Sequence, residues 1–141
     1  MARQAVSEIY CWQLRVNALN VYVASSCEGA MRIGLTLGNQ SDCIEFFRIR
    51  FPESRLHKDY NSNRSVIDWA YAALNNKPVP ESVKLDVNCT PFQWDILRAT
   101  ALIPFGKTKT YGEIAYLVER AGAARAVGQA LARNPLPLIF P

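Results

Sequence analysis

No hydrophobic run in this sequence approaches the ~18 residues that a membrane-spanning helix needs, so no transmembrane segment is expected. No long apolar stretch follows Arg3, which speaks against a secretory signal. None of the four cysteines (Cys11, Cys27, Cys43 and Cys89) stands in a Cys-x-x-Cys pair, and His57 is the single histidine. A zinc set of Cys11, Cys27, Cys43 and His57 matches no standard spacing, so no metal is expected and reduced thiols of a cytoplasmic protein are the simpler reading. Glycine and proline are at ordinary levels, half the residues are hydrophobic and a fifth are charged. That composition excludes collagen, coiled coil and disorder. A chain of 141 residues can bury about two-thirds of its unfolded surface without a staple.

The net charge of +4 is unevenly spread. Lys plus Arg less Asp plus Glu is 10 minus 9, or +1, over residues 1–89, and 6 minus 3, or +3, over 90–141. A basic second part is compatible with an acidic partner such as nucleic acid, and equally with a basic soluble surface.

Residues 1–89 read as a sheet-and-helix domain. Residues 19–25 and Met31 to Leu37 alternate around the turn Cys27-Glu28-Gly29, which predicts a hairpin. Ile44, Phe46, Phe47, Ile49 and Phe51, with charges at Glu45, Arg48 and Arg50, predict a third strand from Cys43 to Phe51. Residues 53–64 read as loop. Ser65 is placed to cap a helix carrying Val66, Ile67, Ala70, Tyr71 and Leu74, which Pro78 and Pro80 stop, and Val83 to Val87 suggest one more short strand.

Residues 90–141 open with Thr90-Pro91-Phe92-Gln93, a capping box with proline at the first helical position. The helix is expected to run to about Leu102 with Phe92, Ile96 and Leu97 inward. Thr110-Tyr111-Gly112-Glu113 is a second box, Gly122 a turn, and Ala123 to about Arg133 a third helix rich in small residues. The two helices within about 110–133 outline a helix-turn-helix, a weak signal on spacing alone. Leu136 to Pro141 reads as an apolar extended tail.

These blocks together resemble the 6-O-alkylguanine-DNA alkyltransferases. The residues that carry the resemblance are Thr90-Pro91-Phe92-Gln93, Ile103 to Thr108, Thr110 to Ala115, Ala123 to Ala130, and Asn134 to Pro141. The resemblance implies an α/β (α+β) fold: a small ribonuclease-H-like N-terminal domain, residues 1–89, and a winged-helix-like DNA-binding/methyltransferase domain, residues 90–141. It implies DNA repair, in which the damaged nucleotide is flipped and the alkyl group of 6-O-alkylguanine (or 4-O-alkylthymine) moves once onto a protein cysteine. No cofactor is implied, and the expected partner of a monomeric cytoplasmic protein is alkylated double-stranded DNA. Tyr111 matches the tyrosine that assists the leaving guanine. Arg125 matches the arginine finger that fills the space of the flipped base. Ala124, Ala126 and Gly128 would let the helix approach the groove. Thr110, Gln129 and Asn134 fall at further DNA-face and turn-bracing positions.

Lys107, Lys109, Arg98 and Arg133 are candidate phosphate contacts. Thr100 stands where the family usually has leucine, which suggests looser packing. Cys89, just before a helix N-cap, could have a lowered pKa, but it stands where the family usually has glycine. Pro141 matches the proline of the family's Pro-Cys-His-Arg motif. The nucleophilic cysteine is therefore expected immediately after it, and the chain as given is expected to be inert in transfer. Two alternatives stay open: a non-enzymatic relative that binds alkylguanine, and a regulator that carries this module.

Overall fold

The computed structural model describes residues 8–80 and 82–140. The signal-peptide question at residues 1–7 and the matched Pro141 lie outside them. The chain divides into two compact units, Met1–Val87 and Asn88–Pro141.

The first unit is built on a four-stranded sheet of β1 (Glu8–Val16), β2 (Leu19–Ser26), β3 (Gly29–Leu37) and β4 (Arg55–Lys58), in the order β3-β2-β1-β4. β1, β2 and β3 form an antiparallel meander, with Trp12 opposite Val23 and Val23 opposite Ile33, while β4 runs parallel to β1. The predicted hairpin is β2–β3. Its alternation is imperfect because β2 is buried on both faces. Tyr22 and Ala24 face a cluster with Ile9, Cys11, Cys43 and Phe47. Val21 and Val23 point the other way, and the buried residues Val66, Ile67 and Ala70 belong to α2 (Arg64–Leu74), which packs on β2.

The structure corrects four readings in this unit. Residues 43–48, expected to be strand, form the helix α1 (Cys43–Arg48). Asp42 caps it by accepting a hydrogen bond from the Ile44 N–H at 3.0 Å. The apolar set that decides is Cys43, Phe46 and Phe47, which is helical spacing; the alternation through Ile44 and Ile49 leaves Ile49 exposed. Gly34 of β3 makes room for this helix, since a Cβ there would lie 2.4 Å from the Phe46 ring, which stacks on Tyr22 at 3.9 Å.

The expected loop 53–64 contains β4, a strand of four mostly polar residues that exists only because β1 offers an edge. Ser65 is not the cap of α2: Asn63 holds that position, with no side-chain capping bond. Val83 to Val87 form no strand but a single bridge, Leu85 to Ala30.

The second unit consists of α3 (Pro91–Ala101), α4 (Tyr111–Leu117) and α5 (Ala124–Ala132). Both predicted capping boxes are complete. Thr90 accepts from the Gln93 N–H at 3.2 Å while Gln93 accepts from the Thr90 N–H at 2.9 Å. Thr110 and Glu113 do the same at 3.1 and 2.6 Å. Ile96, Ile114, Ala115, Val127 and Ala130 make the core, with Phe92 packed at its edge. Gly122 takes φ +85°, which a turn of this hand asks of glycine.

The expected extended tail is instead a turn, in which Ile139 and Phe140 N–H groups donate to the Leu136 carbonyl at 3.2 and 3.0 Å. Among the described residues no helix is long and apolar enough to cross a membrane.

Candidate functional site

The local rules that start α4 and α5 also place the side chains of interest. Tyr111 is the first residue of α4, so its position follows from the Thr110 cap. The Thr110 hydroxyl is committed to that cap and the Glu113 carboxylate closes it. The hydrogen bond from the Thr110 N–H holds the Glu113 carboxyl below its ordinary value.

The Tyr111 ring, half exposed, lies against Gly128 of α5. A Cβ on Gly128 would stand 3.0 Å from Cε2 and 3.2 Å from Cδ2 of that ring. The small residue at position 128 therefore admits the tyrosine, a role the spacing of small residues did not disclose.

Arg125 and Gln129 are exposed and one helical turn apart on α5. Ala124 and Ala126 flank Arg125 and are only partly covered. The α5 surface around Arg125 is thus low, with one long cation standing out of it.

Asn134 follows α5 and ties the turn after it. Its side-chain oxygen accepts from the Leu136 N–H at 2.9 Å, and its amide donates to the Phe140 carbonyl at 2.6 Å. Leu136 is fully buried, and Phe140 meets Trp94 of α3 edge-on at 6.0 Å. The segment is anchored at both ends by one side chain.

A model of the "6-O-methylguanine DNA methyltransferase, DNA binding domain" family matches residues 91–141. The inducible methylated-DNA–protein-cysteine methyltransferase of Bacillus subtilis is 31% identical over 122 residues, covering 86% of this chain and 68% of the relative. The Mycobacterium bovis methylated-DNA–protein-cysteine methyltransferase is 34% identical over 112 residues, covering 76% and 68%. The chain belongs to the methylated-DNA–protein-cysteine methyltransferase family. The crystal structure of Mycobacterium tuberculosis OGT in complex with DNA superposes with a TM-score of 0.70 at 25% identity, covering 95% of this chain and 74% of that one. A second structure, of the Mycobacterium tuberculosis O6-methylguanine methyltransferase, gives 0.72 at 27% identity, covering 94% and 75%.

Other residues singled out in this methyltransferase-family chain are placed as follows. Lys107, Lys109 and Arg133 are exposed, and the Arg98 guanidinium lies 5.3 Å from the Trp94 ring on its own helix. Thr100 is buried, and its hydroxyl donates to the Leu97 carbonyl at 2.8 Å, so the polar group is satisfied within α3. Burial pushes the Cys89 thiol up, opposite to the activation that a helix N-terminus would give. Cys11 and Cys43 meet in the core, whereas Cys27 is exposed, so the set of three cysteines with His57 is not assembled.

The sequence reading missed the apolar surface of this unit. Leu102, Phe105, Tyr116 and Leu117 are all exposed, and Phe105 is 92% exposed between α3 and α4. Their only sequence signal is that each falls outside the inward helical stripe or between helices.

Proposed function

We propose that this chain serves DNA repair as its family does: residues 1–141 recognise 6-O-alkylguanine, and the alkyl group moves once onto a cysteine that the family motif places immediately after Pro141. The Tyr111–Gly128 contact carries this reading: it fixes a phenol beside the helix that bears Arg125. Arg125 enters the duplex and fills the gap left by the extruded nucleotide. Extrusion costs a few kcal/mol of stacking, and a planar guanidinium offsets part of it by stacking in the gap. The partly covered Ala124 and Ala126 let the helix come close to the groove. Gln129, Lys107, Lys109 and Arg133 are available to the backbone and set its position, not its sequence.

In the transfer a thiolate attacks the alkyl carbon, the S–C bond forms, the C–O bond breaks, and guanine leaves with a proton donated by the Tyr111 hydroxyl. The family motif puts that thiolate directly after the proline matched by Pro141, next to the turn that Asn134 braces. The four cysteines within residues 1–141 are assigned no part in it. Two observations support the finer fold reading. The order β3-β2-β1-β4 with β4 parallel to β1 is that of a ribonuclease-H-like sheet, and α4–α5 follow a helix-turn-helix path as in winged-helix domains. The protein is read as a cytoplasmic monomer acting on double-stranded DNA.

The test is binding to a duplex with one 6-O-methylguanine against the unmodified duplex at matched salt, with 2-aminopurine fluorescence beside the lesion reporting extrusion. Tighter binding to the lesion with a rise in fluorescence is expected. Equal affinity without a rise would overturn the reading. Peptide mapping after the same incubation is expected to find Cys11, Cys27, Cys43 and Cys89 unmethylated.

A further inference from the structure

The core of the first unit holds two thiols that the DNA chemistry does not use. Cys11 stands in the middle of β1 and Cys43 opens α1; both are fully buried. Their sulfurs are 3.0 Å apart, about 1 Å more than an S–S bond. The backbone on each side is fixed independently. The Cys43 N–H donates to Gln13 Oε1 of β1 at 2.9 Å, and the Cys11 carbonyl accepts from the Asp59 N–H at 3.0 Å. The two side chains thus already face each other across the sheet–helix boundary.

We propose that Cys11 and Cys43 are a modification site: a peroxide closes them into a reversible disulfide that staples α1 to the sheet. The Cys11 S–H donates to the Cys43 sulfur, so the proton is held on Cys11, whose thiol is pushed up by that bond and by burial. Cys43 is the sulfur that ionises first: the hydrogen bond from Cys11 favours its anion, with smaller help from Lys58, against burial and the neighbouring Asp42 carboxylate. Access is local. Cys43 directly follows exposed Asp42 at the end of the exposed stretch 37–40, and α1 is only six residues long, so opening this edge exposes the thiol to a small oxidant.

The Cys43 thiolate attacks one peroxide oxygen, the O–O bond breaks, and the departing hydroxide takes a proton to become water. Cys43 is now a sulfenic acid. The Cys11 sulfur attacks the Cys43 sulfur, the S–O bond breaks, and a second water leaves with the Cys11 proton. One peroxide becomes two waters while the thiol pair loses two electrons. The closed loop spans a separation of 32 residues and contains β2 and β3, so the bond restricts the unfolded chain.

The four cysteines fall on separate tryptic peptides (4–15, 16–32, 33–48 and 85–98), which makes the test direct. The 141-residue chain is treated with hydrogen peroxide, blocked with a thiol reagent, digested and mapped. The expected product joins 4–15 to 33–48 and is undone by dithiothreitol. The oxidised chain is also expected to gain on the order of 10 °C in unfolding midpoint, a gain lost on reduction and absent in Cys43→Ser. Recovery of both residues as blocked thiols, their separate conversion to sulfinic acids, or a link from Cys43 to Cys27 would each overturn the proposal. Mapping on the unsubstituted chain decides even where a variant fails to fold.

Discussion

The two units of this chain differ in how they are held together and in the charge they carry. The first packs four aromatics, Tyr22, Phe46, Phe47 and Phe51, together over the sheet, while Leu37, Ile49, Tyr60 and Tyr71 stay exposed. The second turns much of its apolar surface outward, with Leu102, Phe105, Tyr111 and Tyr116 exposed, and it carries +3 of the net +4 over residues 90–141. Both units leave single apolar side chains in water, as folded domains do, so the difference that points to an acidic partner is the charge of the second. Helix starts vary within each unit. α3 and α4 are defined by complete capping boxes but α5 has no side-chain cap, while Asp42 caps α1 and α2 begins without a cap and packs on the sheet.

Four substitutions test this contrast. The largest effect is expected from Phe47→Ala, which removes a fully buried ring from the first unit and costs about 3–5 kcal/mol of stability by denaturant titration. A loss below about 1 kcal/mol would mean that the aromatic cluster is not what holds the sheet. Next comes Arg125→Ala, a surface change in the second unit. Stability is expected to stay within about 0.5 kcal/mol, while affinity for an alkylguanine duplex falls roughly 10- to 100-fold, or about 1.4–2.8 kcal/mol. Unchanged affinity at matched salt removes the finger assignment.

Gly128→Ala separates folding from recognition inside one helix. Alanine favours the helix by up to about 1 kcal/mol, yet its Cβ presses on the Tyr111 ring. Stability is expected to hold or rise while lesion binding drops several-fold; a parallel fall in both would make the contact merely structural.

The smallest effect concerns the two boxes, one closed by Gln93 and the other by Glu113. The Glu113 carboxyl is held below its ordinary 4.5, so its contribution to α4 is present above that value and is lost as pH falls through the lower folded one. Helicity of the second unit should therefore show a component that titrates below about pH 4.5 and is absent in Glu113→Gln. The Gln93 box should show none. A titration that survives Glu113→Gln would place its source elsewhere.

Much of the second unit was legible because its rules are local. A cap three residues before its partner, a glycine after a helix and a proline at the first helical turn each act within one stretch of chain. The first unit was less legible because its deciding partners lie far apart in sequence. Phe46 and Phe47 are equally compatible with a strand until Tyr22 and Gly34 supply a surface for one of them. Polar Arg55 to Lys58 become a strand only beside Glu8 to Cys11. Tyr111 and Arg125 could be named from their blocks, but the contact between Tyr111 and Gly128 could not, since it joins two helices across a turn.

The sequence by itself determined where α3 and α4 begin, that Ile96 and Leu97 of α3 turn inward, and which family the blocks resemble. Short-range hydrogen bonds and helical periodicity are written in neighbouring residues. Only the tertiary structure decided that residues 43–48 coil, that a polar tetrapeptide completes the sheet, that the tail turns back onto Asn134, and that Cys11 and Cys43 meet. Each of these depends on burial and hydrogen-bond partners supplied by distant chain, and no local pattern specifies which distant surface will be there.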